Sequence, residues 1–155
     1  MTRRNLMLLA AGGSLALLLG AFAFQAAGYA PCKLCIWQRW PHGVAVAAGF
    51  GVWLIGPRLW LGMAGWLGAF ISGALGIYHT GVEKGWWDGP QSCSGGGLDM
   101  SGMTGGDLLS IDAPLGVVMC DEVAWAFAGL SMASWNAVFS FALAAIWVKA
   151  LATRP

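Results

Sequence analysis

The amino-acid sequence predicts an all-α membrane protein, a four-transmembrane-helix bundle with a long loop between helices 3 and 4. Three observations predict it. The 155 residues are 58% hydrophobic and only 10% charged, where an ordinary soluble domain carries about 25% charge. Four apolar segments, about 5–24, 37–55, 59–78 and 131–148, each match the roughly 17–25 residues that cross a bilayer as a helix. The charges also separate by side. Arg3 and Arg4 precede the first segment, Arg58 lies between the second and third, and Lys149 and Arg154 follow the fourth. All the acids, Glu83, Asp88, Asp99, Asp107, Asp112, Asp121 and Glu122, fall on the opposite side of a chain that crosses four times.

The positive side is cytoplasmic by the positive-inside rule, so both termini are expected there. In a bacterial cell inner membrane the other side is the periplasm, where disulfides persist. The whole chain, 1–155, reads as one multi-pass domain without internal repeats. Nothing in its small net charge of +1 suggests a nucleic-acid partner.

The first segment, with its two arginines and apolar run from Leu6 to Leu19, also has the outline of a signal peptide. It is long enough to cross, and it is taken as a retained span. Gln25–Pro31 forms a short exit loop. The second segment contains Pro41, which frees a backbone carbonyl near Trp37. The Gly56-Pro57-Arg58 turn is so short that spans two and three must pack antiparallel. Gly62, Gly65, Gly68, Gly73 and Gly76 in the third span either permit close helix contact or reflect the general abundance of glycine in membrane helices. Ten tryptophans are many for this length. Trp37, Trp40, Trp86, Trp87 and Trp135 fall near span ends, where the ring anchors at headgroup level. Within the loop of about 80–130, Ser94–Gly106 is rich in glycine, and Leu108–Val118 forms an apolar patch suited to a membrane surface. Asp121 is expected to cap a short helix over Glu122–Leu130.

The chemistry lies in four cysteines. Cys32 and Cys35 form a Cys-x-x-Cys pair directly behind Pro31, at the start of the second helix. There the orphan N–H groups and the positive dipole end stabilise a thiolate. Cys93 and Cys120 lie in the loop on the same side of the membrane. No metal site is expected: a zinc ribbon needs two close pairs, and His42 and His79 have no ligand spacing with the cysteines. Covalent haem is excluded because Ile36, not histidine, follows Cys35. A structural bridge across the tiny Cys32–Cys35 ring would constrain almost nothing in the unfolded chain, so the pair reads as redox-active. Arg39 lies one helical turn beyond Cys35 on the same face. Its guanidinium is expected beside the Cys35 sulfur, lowering that thiol's pKa. An ionisable residue in a span is a functional candidate by default. His42 is expected to be a satisfied interfacial histidine.

Pro31-Cys32-Lys33-Leu34-Cys35-Ile36-Trp37-Gln38-Arg39, four spans and a loop with two further cysteines resemble the DsbB family of disulfide-generating quinone reductases. Supporting matches are Tyr78-His79-Thr80-Gly81-Val82-Glu83, Gly89-Pro90-x-x-Cys93 and Gly129-Leu130-Ser131-Met132. The resemblance spans nearly the whole chain, although little of Ser94–Met119 matches.

The resemblance implies a protein-dithiol:quinone oxidoreductase. Cys93 would form the mixed disulfide with a periplasmic DsbA-like oxidase of thioredoxin fold, and Cys120 would pass electrons on to Cys32. Cys35 would be the thiolate that meets ubiquinone or menaquinone. Arg39 would polarise a quinone oxygen and His79 would line the quinone pocket. DsbA is a strong oxidant, at about −120 mV, so its reoxidation needs an acceptor of still higher potential, which a quinone supplies. Two rivals are a vitamin K epoxide reductase-like enzyme, whose cysteine pairs come in the opposite order along the chain, and a tetraspan scaffold or transporter subunit with purely structural disulfides.

Overall fold

The computed structural model describes residues 1–90 and 119–153. Four helices make up almost all of it: α1 (Arg3–Ala26), α2 (Lys33–Ile55), α3 (Leu59–Glu83) and α4 (Met132–Ala152). Two short strands, β1 (Ala126–Phe127) and β2 (Leu130–Ser131), precede α4. The described residues are thus helical apart from this one small hairpin. α1, α3 and α4 are long and apolar enough to cross a membrane. α2 is as long, at 23 residues, but Lys33, Gln38, Arg39 and His42 interrupt its apolar run.

Local chemistry sets the helix ends. Thr2 caps α1 by accepting from the Asn5 amide at 3.3 Å, and Ser131 caps α4 by accepting from the Ser134 amide at 3.2 Å. α2 stops at Gly56, whose φ of 83° strains any residue with a Cβ, and Pro57 follows. α2 begins four residues before the apolar segment, because Cys32 itself serves as its N-cap. α3 runs five residues past Tyr78, to Glu83.

The expected helix over Glu122–Leu130 does not form. In its place β1 and β2 pair antiparallel, with Ala126 opposite Ser131 and Phe127 opposite Leu130. Ala128 and Gly129 make the turn with φ of 51° and 78°, the left-handed pair that a two-residue hairpin demands. Trp135 on α4 donates its indole N–H to the Phe127 carbonyl at 3.0 Å, which ties the hairpin to the bundle. Cys93, Ser94–Gly106 and Leu108–Val118 lie outside the described residues.

The helices pack side by side, and small residues set their spacing. A Cβ on Gly65 would run into the Trp147 ring, and one on Gly68 would sit 2.5 Å from the Pro41 carbonyl oxygen. The close-contact reading of these glycines therefore holds. One buried cluster, with Met7, Val52, Ala69 and Trp147 at its centre, fills one end of the bundle. A smaller one, Cys32, Leu34, Val82 and Cys120, fills the other. Trp147, fully buried, is no interfacial anchor, whereas Trp40 and Trp86 are exposed.

Candidate redox site

The small cluster joins the start of α2, the end of α3 and the segment leading into β1. Cys32 Sγ accepts from the Cys35 amide at 3.2 Å, so the cysteine does the work of a serine or aspartate cap. The two sulfurs are 2.9 Å apart, both as free thiols. Cys120 is fully buried against them and is held in a disulfide.

The pKa of Cys32 is lowered from 9.0 to about 4. The hydrogen bond with Cys35 is the main cause, the His79 ring adds to it, and together they outweigh burial. The Cys35 amide and the His79 ring thus favour negative charge on Cys32 in the reduced pair. The sequence suggested Cys35 as the charged sulfur, activated by Arg39. Two facts correct this. Cys32 occupies the capping position, and Arg39 turns to α1: its guanidinium donates to Gln25 Oε1 at 2.7 Å and to the Ala21 carbonyl at 3.4 Å, over the Phe22 ring.

His79 is buried and sits between the elements. Its Nε2 is 3.5 Å from Cys32 Sγ and 3.9 Å from Glu83 Oε1, and the ring is also hydrogen-bonded to the Cys120 backbone. Glu83 in turn accepts from the Ser131 hydroxyl. The His79 ring thus contacts both cysteine-bearing segments, which sequence reasoning had supplied only through a motif match.

On the far side of Cys35 lies a cavity of about 380 Å³ between α1, α2, α4 and the hairpin. Its wall is mostly apolar, from residues such as Leu17, Phe24, Trp125 and Phe139, and its polar side chains are Gln38, Arg39, His42 and Asn136. Cys35 opens onto this cavity and Cys32 does not line it. Both cysteines also line a smaller cleft with His79, Glu83 and Arg39, so Cys35 bridges the two spaces.

Gln38, His42 and Asn136 escaped the sequence reading as a group. His42 is buried, not interfacial. Its Nε2 lies 3.0 Å from Asn136 Oδ1, and its Nδ1 is buried without a hydrogen-bond partner among the described residues. One signal was available: Gln38 and His42, and likewise Asn136 and Ser140, are polar pairs one turn apart within apolar helices, where each polar group needs a reason.

A family model for Disulfide bond formation protein DsbB matches residues 3–150. Disulfide bond formation protein B of Acidovorax sp. (strain JS42) is 32% identical over a 165-residue alignment covering 98% of this chain and 88% of that protein. Disulfide bond formation protein B of Aromatoleum aromaticum (strain DSM 19018 / LMG 30748 / EbN1) is 28% identical over 123 residues, 77% of this chain and 74% of that protein. No solved structure matches the chain significantly.

Proposed function

Since the chain belongs to the DsbB family, and is on that ground a membrane oxidoreductase of disulfide-bond formation, we propose that it reoxidises a periplasmic DsbA-like thiol oxidase of thioredoxin fold. Two electrons pass through Cys93 and Cys120, then Cys32 and Cys35, to a membrane quinone, ubiquinone or menaquinone. When bound, the quinone supplies an acceptor for two electrons and two protons.

The single observation that carries this reading is the division of labour between adjacent sulfurs. Cys32 and Cys35 both pack with Cys120, and of the two only Cys35 also lines the apolar cavity with Arg39. The chain's own steps follow. The partner's thiolate attacks Cys93, and Cys120 leaves as a thiolate. The partner's second thiol then releases the partner as a disulfide, leaving both loop cysteines reduced. Cys120 attacks Cys32 of the Cys32–Cys35 disulfide and Cys35 leaves. Attack of Cys93 on Cys120 restores the loop disulfide and frees Cys32.

The cavity suits a quinone. Its volume lies within the roughly 300–1,000 Å³ of small-molecule sites, and an apolar wall with a few polar groups is their usual lining. Arg39 is a donor for a carbonyl oxygen. His42 brings a buried ring nitrogen, Nδ1, that lacks a partner among the described residues; because Nε2 donates to Asn136, Nδ1 is an acceptor suited to a quinol hydroxyl. Arg39, Cys35 and His42 would hold the ring, while His79 serves the sulfurs.

The same reading makes the bundle a four-span protein of the bacterial inner membrane. Its cysteines lie on the periplasmic side and its termini in the cytoplasm. α2 packs between α1 and α3, both long enough to cross, and its polar side chains turn into the bundle: Gln38 and His42 are buried. The Arg3, Arg4, Arg58 and Lys149 end meets the positive-inside rule. Reconstituting the protein with a reduced DsbA-like partner and ubiquinone-1, and following quinone absorbance, tests the function. Reduction that requires Cys93 supports it, and reduction of quinone without consumption of partner thiols refutes it.

A further inference from the structure

A chain of hydrogen bonds runs from the deep end of the cavity to the Cys32 sulfur, and the atoms fix its direction. Gln38 Nε2 lies 3.2 Å from the Leu34 carbonyl oxygen, which only accepts, so this end of the amide is the NH₂. Its other N–H meets His79 Nδ1 at 2.9 Å. That ring nitrogen is therefore the unprotonated one. Gln38 Oε1 accepts from Asn136 Nδ2 at 2.8 Å. Asn136 is oriented in the same way: Nδ2 is 3.4 Å from the Ser72 carbonyl and 3.2 Å from the Ser72 hydroxyl, and that hydroxyl spends its proton on the Gln38 carbonyl at 3.0 Å. Asn136 Oδ1 then accepts from His42 Nε2. Every donor points towards the sulfurs.

With Nδ1 accepting, the proton of a neutral His79 sits on Nε2, facing Cys32 Sγ at 3.5 Å. We propose that Gln38 and Asn136 are positioning residues that lock His79 as the Nε2–H tautomer, making it a standing hydrogen-bond donor to Cys32 and denying its Nε2 lone pair to metal ions. The second consequence matters because Cys32, Cys35 and His79 bring three ligand atoms within 4.8 Å of one another. Two thiolates and an imidazole at that spacing are three-quarters of a structural zinc site. A ligating histidine ordinarily donates its other N–H to an acceptor; here Gln38 presents an N–H instead. A reduced dithiol that must meet quinone thus avoids being trapped by zinc.

The proposal rests on Cys32–Cys35 being the working pair, but its test needs neither partner nor quinone, so its failure is separable from failure of the functional reading. The chain has only two histidines, so nitrogen-15 NMR of the histidine-labelled, fully reduced protein reads the tautomer directly. The expected result is a protonated Nε2 and an unprotonated Nδ1 on His79; a protonated Nδ1 overturns the proposal. Co²⁺ titration of the reduced protein is the second measurement. Wild type should show no thiolate-to-metal absorbance, and Gln38→Leu, free to present Nε2, should acquire it. Tight Co²⁺ binding by wild type through His79, or equal spectra for both proteins, contradicts the lock. In Gln38→Leu the Cys32 thiolate titration should also move up, by about one pH unit for one weakened hydrogen bond. The other titratable or charged groups facing this pair are Cys35 on α2, Glu83 on α3 and Lys84 beside it, with Arg39 and Glu122 lining the same cleft. All are retained in the variant. An unmoved titration would confine Gln38 to packing.

Discussion

Cys32 Sγ lies 3.5 Å from His79 Nε2, so the residue that caps α2 is hydrogen-bonded to the last turns of α3. That contact, with the Cys35 amide and thiol on its other side, gives one sulfur of the pair its charge while the other faces the cavity.

The first prediction concerns pH. The Cys32 thiol titrates near 9.0 when unperturbed and at about 4 in the folded, reduced protein. Between those values the unfolded chain binds a proton that the folded chain does not, so stability rises with pH. This contribution to the reduced state is complete above about pH 9 and is lost as pH falls towards about 4. Thiolate absorbance of the reduced minus the oxidised protein should persist well below pH 7, and midpoint temperatures of the reduced form should fall through the acid range.

Replacing His79 by leucine removes the ring donor but leaves the Cys35 hydrogen bond, the larger cause of the low pKa. The thiolate titration should rise by about one unit and stay below the ordinary cysteine value. A return to 9.0 would mean that His79, not Cys35, is the main source.

Asn136→Leu should destabilise the bundle by about 1–2 kcal/mol. It leaves Gln38 Oε1 and His42 Nε2 without their amide partner, both on buried residues. Unfolding in detergent compared with Asn136→Gln and wild type checks this, and no change would make the network dispensable for stability.

Gly65→Val tests the packing of α3 on α4. The Trp147 ring fills the space that a Cβ would need and is itself fully buried, so it has nowhere to retreat. A loss of about 1–3 kcal/mol is expected from overpacking, read as a lowered midpoint temperature.

Much of this was legible in the sequence, and particular residues show why. Apolar length alone located the helices, and Pro31 ahead of Cys32 marked the redox pair at a helix start. Spacing placed Arg39 near Cys35, but only the fold shows that Gln25, the next-to-last residue of α1, takes its guanidinium. The hairpin was missed because its signals, Ala128-Gly129 between Phe127 and Leu130, are weak beside the helical look of Glu122–Leu130. The polar chain was illegible as a unit: Gln38 and Asn136 are far apart in sequence, and no periodicity links them. The apolar patch expected over Leu108–Val118 lies outside the described residues.

The central claim is that electrons leave through Cys35 after arriving at Cys32, and one experiment addresses it most directly. Cys32→Ser and Cys35→Ser variants, each with the Cys93–Cys120 disulfide formed, are kept free of partner and reductant so that the remaining thiolate can attack Cys120 and release Cys93, and the disulfide-linked species are mapped by mass spectrometry. The account predicts that Cys35→Ser accumulates a Cys32–Cys120 bridge and that Cys32→Ser forms no bridge between Cys35 and the loop. A Cys35–Cys120 bridge in Cys32→Ser, formed as readily as its counterpart, would contradict it.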